Sequence, residues 1–200
     1  MGFTVSAKPN RVPAKPNRVP AKPNRIVPIR MAHFVIRTNS YHAMVAWYRK
    51  VLLADVAFAN DELTFLAFDE EHHRLAIVNN PDLIDAPPNS TAIDHVAFTY
   101  TDLRSLLATY ERLKEEGIRP AFCYNHGPTT SLYYADPNAN KVELQVDNFA
   151  TGAEASAYFR SPAFAANATG TTFDPDVLLR KLRENVPEME LLKPGQDHME

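Results

Sequence analysis

Two histidines, His33 and His95, occupy equivalent places in a chain that repeats itself after 62 positions, and Glu143 lies on an alternating, strand-like segment further along. Two imidazoles and one carboxylate on a common face form the ligand set that holds a mononuclear Fe(II). Such a set leaves coordination positions open for substrate and oxygen. Each residue alone is weak evidence, because a single histidine is more often a core or surface residue than a ligand, and strand glutamates are commonly exposed. The repeat is what joins them.

The segment from His33 to Ser40, His-Phe-Val-Ile-Arg-Thr-Asn-Ser, aligns with His95 to Asp102, His-Val-Ala-Phe-Thr-Tyr-Thr-Asp. Each copy alternates as a strand and ends on a residue type that caps helices. Period-two alternation puts His33, Val35 and Arg37 on one face, His95, Ala97 and Thr99 on the matching face, and Lys141, Glu143 and Gln145 together on a third strand. These three faces can line a cup, while the opposite, apolar faces suit helix packing.

The helices that follow agree as well. Tyr41, Met44, Val45, Tyr48 and Val51 match Leu103, Leu106, Leu107, Tyr110 and Leu113, which is the spacing of one buried stripe. After each helix come three strand-like segments, 55–59, 63–68 and 74–78, then 121–124, 131–135 and 141–146. The expected fold is therefore α+β, with paired βαβββ modules forming a cup-shaped mixed sheet around a metal site and helices outside. The modules are placed at 30–80 and 92–148 within a domain of 30–148, joined by the Pro- and Asn-rich stretch 79–91. An extension over 149–200 carries a helix near 175–185, started by Asp174-Pro175 and bearing Val177, Leu178 and Leu182. A short helix is expected around 154–159, and whether the stretch 147–173 covers the site stays open.

Residues 1–29 read as a separate arm. Ala-Lys-Pro-Asn-Arg-Val-Pro occurs twice from Ala7 and begins a third time at Ala21. A seven-residue repeat with two prolines in each full copy sustains neither a helix nor a ladder, so a disordered, polyproline-like arm is expected. Residues 1–30 hold seven basic residues and no acid, leaving 14 basic against 24 acidic residues for the body. So acidic a body offers phosphates no grip, and no nucleic-acid partner is expected. The single cysteine, Cys123, excludes an intrachain disulfide framework and a cysteine zinc cage. With no apolar run of membrane-spanning length and no secretory core, a cytoplasmic protein without membrane contact is expected.

Three stretches carry a family resemblance: Ala-His-Phe-Val-Ile-Arg from Ala32, Ile-Asp-His-Val-Ala-Phe from Ile93, and Leu132 through Glu143. They resemble the vicinal oxygen chelate (glyoxalase/bleomycin resistance/dioxygenase) superfamily. The run His126-Gly-Pro-Thr-Thr-Ser-Leu-Tyr133-Tyr-Ala-Asp-Pro137 through Glu143 is similar to the signature of type I extradiol ring-cleavage dioxygenases, in a one-domain form. The resemblance implies that His33, His95 and Glu143 are the metal ligands, with Fe(II) or else Mn(II) bound and O2 as co-substrate. It further implies that His126 and Tyr133 lie beside the substrate oxygens and that His73 acts in acid/base catalysis. Without the resemblance, His72-His73 reads as a solvated turn before a strand. The implied substrate is a small aromatic diol cleaved beside, rather than between, its hydroxyl-bearing carbons. An assembly of identical copies is compatible with the sequence.

Two positions depart from the signature. Ala139 stands where Gly or Pro is usual, and Tyr124 replaces a small or branched residue two before His126. Other chemistries share the fold, including metal-dependent isomerases, thiol transferases and proteins that only bind or sequester small molecules. A glyoxalase-type isomerase would call for a metal carboxylate on the last strand of each half, and the run from Arg74 to Asn80 offers none.

Overall fold

Immediately after His33, the alternating residues Phe34–Thr38 form strand β1, and the next stretch coils into helix α1, Tyr41–Leu52, which buries Tyr41, Met44, Tyr48 and Val51. Strands β2 (Asp55–Ala59), β3 (Leu63–Ala67) and β4 (Leu75–Asn79) complete a four-stranded sheet in the order β1-β4-β3-β2. The second half repeats the plan with β5 (His95–Tyr100), α2 (Leu103–Glu115), β6 (Phe122–Asn125), β7 (Thr129–Ala135) and β8 (Lys141–Asp147). Its sheet runs β5-β8-β7-β6, with the short β9 (Thr171–Thr172) added beyond β6. In both halves the first strand lies parallel to the last and the other pairs are antiparallel. This computed structural model describes residues 26–87, 90–196 and 198–199. The repetitive arm falls almost wholly on residues 1–25, outside the described part.

The apolar stripes and strand faces meet as the alternation requires. Val142, Leu144 and Val146 are buried in one core with Leu103, Leu106, Leu107 and Met44, while Phe34, Ile36, Phe98 and Tyr100 pack against its margin. Burying a side chain of this size contributes about 1.5–3 kcal/mol, so the helix-facing side holds each sheet and frees its other face for chemistry. Cys123 lies in this core, its thiol pushed up to about 12 by burial, which makes it unreactive. The two caps differ. Asp102 accepts from the Ser105 amide at 2.7 Å, whereas the Ser40 hydroxyl turns to Asn39 Oδ1 at 3.1 Å and makes no cap bond to α1.

The extension supplies α3 (Gly152–Tyr158), α4 (Pro162–Ala166), α5 (Pro175–Arg183) and α6 (Glu188–Leu191). Asp174 caps α5 with Pro175 in the first turn, and Val177, Leu178 and Leu182 are buried, as the sequence leads one to expect. None of the described helices is long and apolar enough to cross a membrane.

The hairpin between β7 and β8 is built by Asp136. Its Oδ1 accepts the amides of Asn138 and Asn140, each at 2.9 Å, and its Oδ2 accepts the Tyr48 hydroxyl of α1 at 3.0 Å. Asn138 Nδ2 donates to Asn39 Oδ1 at 3.0 Å, so the turn also ties the second module to the first. Within it Ala139 has φ +62, the left-handed region, where a Cβ costs about 1–2 kcal/mol. Glycine adopts this conformation without that cost. Ala139→Gly should therefore raise stability by about 0.5–1 kcal/mol, less than the full strain because glycine also gains freedom in the unfolded chain. Urea unfolding checks this, and a loss of stability would show that the turn is relaxed as it stands.

Candidate metal centre

Strand register fixes the open face of the second sheet. His95 pairs with Lys141 and Ala97 with Glu143, while on the other side of β8 Glu143 pairs with Tyr133. His95 Nε2 lies 2.9 Å from Glu143 Oε2. Glu143 is only 4% exposed, so its carboxylate depends on these neighbours. The Tyr133 hydroxyl lies beside Glu143, its cross-strand partner, and 2.9 Å from His126 Nε2. Burial, then the Glu143 charge, pushes the Tyr133 phenol above its ordinary value and keeps it protonated. The phenol thus has one hydrogen and two acceptors within reach.

The first module offers a counterpart with different chemistry. His33, just before β1, stacks on His73, just before β4, with ring centroids 4.5 Å apart, and Phe65 stacks on the far side of His73 at 4.3 Å. Val35 pairs with Ala76 and Phe65 with Ala76. Shifted by the repeat, Ala76 stands where Glu143 stands and Phe65 where Tyr133 stands. The first half therefore brings an imidazole to the site but no carboxylate. Burial, then the neighbouring His33 and His72, lowers the His73 pKa and favours its neutral form. Its Nδ1 is 2.6 Å from His72 Nδ1, which leaves Nε2 for proton transfer.

The structure brings His95, Glu143, Tyr133 and His126 into one chain of contacts and sets His33 against His73. His33 does not join the His95–Glu143 pair: among the described residues no group of three or more His, Cys, Asp or Glu side chains is close enough to hold a metal. The donor chemistry nonetheless fits one, since a buried carboxylate meeting an imidazole Nε2 is half of a two-histidine, one-carboxylate set. A cavity of about 430 Å³ opens beside His95, lined among others by Phe34, Ile36, Arg37, Ile84 and Lys141.

Asp94, Phe122 and Thr169 also contribute to the site, though their residue types do not announce it. Asp94 Oδ2 lies 2.8 Å from His95 Nδ1, and its Oδ1 accepts from Lys141 Nζ at 2.5 Å. Those two contacts, Lys141 first, hold the Asp94 carboxyl below its ordinary value. A carboxylate preceding a candidate ligand was visible in the sequence, but only the parallel pairing of β5 with β8 shows that Lys141 fixes it. Phe122 stacks on Tyr133 at 4.6 Å and Tyr124 on His126 at 5.3 Å, so the departure at Tyr124 places a ring against His126. Lastly, the Thr169 carbonyl lies 2.5 Å from His126 Nδ1.

Fold and site define a class. Residues 30–144 match the family model of the Glyoxalase/Bleomycin resistance protein/Dioxygenase superfamily, and the chain belongs to that superfamily. Within it, the chain is 43% identical over 159 residues to biphenyl-2,3-diol 1,2-dioxygenase 2 of Rhodococcus globerulus, spanning 79% of this chain and 84% of that one. Biphenyl-2,3-diol 1,2-dioxygenase 3 of the same organism is also 43% identical, over 164 residues, 81% of this chain and 86% of that one.

Proposed function

We propose that this chain is an extradiol dioxygenase that opens a catechol-type aromatic ring with O2, at an Fe(II) or Mn(II) held by His33, His95 and Glu143. The observation that carries the reading is the buried Glu143 carboxylate set against His95 Nε2, with Tyr133 and His126 linked beside it. The dioxygenase relatives support the same reaction class. Ala76 in the place equivalent to Glu143 speaks against an isomerase with one metal carboxylate from each half.

Fe(II) in such a site supplies Lewis acidity toward both diol oxygens and a one-electron path to O2. The chain's own residues do the rest. Glu143 and the imidazoles set which face of the sheet the diol meets. His73 Nε2, on a neutral ring, takes a proton from a substrate hydroxyl and returns one later, a contribution of about 10²–10⁴-fold for such a group. Tyr133, kept as a phenol, donates its hydrogen to charge developing on the substrate oxygens, and His126 Nε2 stands behind it. Both atoms of O2 end in the opened product, and the broken carbon–carbon bond lies beside the diol.

Protein loaded with Fe(II) under anaerobic conditions should consume one O2 per catechol opened and form a coloured ring-opened product. Absence of uptake across a catechol panel by demonstrably metal-loaded protein, with conversion of a glutathione hemithioacetal or an epoxide instead, would overturn the assignment. A second expectation concerns Asp94, which orients His95 through Nδ1. Asp94→Ala should weaken Fe(II) binding about 10-fold, at the lower end for such partners because the carboxylate is exposed. Competition with a chelator measures it, and unchanged affinity would make the Asp94–Lys141 pair a surface ion pair only.

A further inference from the structure

We infer that the C-terminal extension completes the reaction site: the backbone at Thr169–Gly170 is the positioning element that fixes the tautomer and orientation of His126. This rests on the ring-cleavage reading above. A carbonyl oxygen only accepts, so the contact of 2.5 Å between Thr169 O and His126 Nδ1 requires the hydrogen to be on Nδ1. In the neutral ring the other nitrogen, Nε2, is then bare and turned to the Tyr133 hydroxyl at 2.9 Å. His126 Nε2 thereby accepts the Tyr133 hydrogen until charge on a bound substrate oxygen draws that hydrogen away.

The extension is shaped to make that contact. Its strand β9 pairs with β6 through Tyr124 and Asn125, the residues leading into His126. Gly170 has φ +94, and a Cβ there would lie 2.2 Å from the Asn125 carbonyl oxygen and 2.6 Å from His126 Cα. Both neighbours are backbone and cannot give way cheaply, so only glycine allows this approach. On the other side of the loop the Tyr158 ring of α3 packs on Gly127, where a Cβ would meet Tyr158 Cε1 at 2.2 Å. Asn125, 2% exposed, donates to the Lys193 carbonyl at 3.1 Å and accepts from the Gly127 amide at 2.9 Å and Asn148 Nδ2 at 3.0 Å. The lead-in to β9, helix α3 and the segment after α6 thus bracket residues 125–127. The superfamily match ends at residue 144, so these contacts come from chain beyond the matched region. A ring held by its backbone on both sides and by one nitrogen has little rotamer freedom left to lose when substrate binds.

The test uses full-length protein labelled with 15N-histidine and loaded with diamagnetic Zn(II), together with the Fe(II) enzyme for turnover. Long-range 1H–15N correlation, assigned with His126→Gln, should show the Nδ1–H tautomer at His126 in the wild type and its loss in Gly170→Ala. In the Fe(II) enzyme, Gly170→Ala should lower kcat about 10- to 100-fold with metal affinity and KM nearly unchanged. Tyr158→Leu, which adds no strain and serves if Gly170→Ala folds poorly, should give a smaller drop of the same kind. In the His126→Gln background either substitution should have no further effect on kcat, an outcome that a general loss of structure would not produce. An Nε2–H tautomer in the wild type, or a full additional loss in the His126→Gln background, overturns the inference. Wild-type turnover by His126→Gln would instead remove His126 from the ring-cleavage reading, and the tautomer measurement would then decide the clamp by itself.

Discussion

Glu143→Ala should bind Fe(II) more than about 100-fold more weakly than the wild type, a larger loss than the 10- to 100-fold typical of groups that only orient a ligand. The reason is charge as well as geometry. Glu143 is the one carboxylate among the three proposed ligands, and its side chain is buried against His95 and Tyr133. With alanine there, the cation would face two neutral imidazoles and no compensating charge. The fold should survive, because the opposite face of β8, with Val142, Leu144 and Val146, provides the packing. Removing a buried carboxylate also removes the cost of desolvating it. Glu143→Gln separates the two contributions: it keeps nearly the same volume and can accept from Tyr133, yet lacks the charge, so its affinity should also fall steeply. Metal content after anaerobic loading and gel filtration reads the outcome. Full occupancy in Glu143→Ala, at unchanged melting temperature, would move the metal elsewhere.

The two modules were legible because the repeat aligns several independent signals at one shift. Strand alternation, the buried stripes of α1 and α2, and the three strands after each helix all recur, and local pattern rarely agrees with itself so often by accident. The register of β5 with β8 then follows the alternation, putting His95 and Glu143 on one face. What stayed hidden has physical causes. The partner of His126 Nδ1 is a backbone carbonyl, which any residue at Thr169 would provide, so no side-chain type announces it. Ser40 and Asp102 looked alike as caps, but the Ser40 hydroxyl is diverted by the adjacent Asn39 side chain. His33 and His73 are 40 positions apart, and their meeting becomes visible only once β1 is known to lie parallel to β4, since each histidine stands just before its strand.

That stacking sets the sharpest expectation for the reaction itself. His73→Ala should bind Fe(II) and catechol almost as the wild type does, yet turn over at least about 100-fold more slowly, because a proton-transfer group is lost while the proposed ligands stay. Alanine, however, also empties the space between His33 and Phe65, which the His73 ring fills at 4.5 and 4.3 Å. A slow His73→Ala enzyme could therefore reflect a displaced His33 ring. His73→Phe resolves this, since phenylalanine restores a ring between the other two and carries no nitrogen. If Nε2 of His73 handles protons, His73→Phe should bind metal like the wild type and remain as slow as His73→Ala in single-turnover experiments. Should His73→Phe instead regain most of the wild-type rate, the ring serves only to hold His33 in place, and the proton must travel through another group.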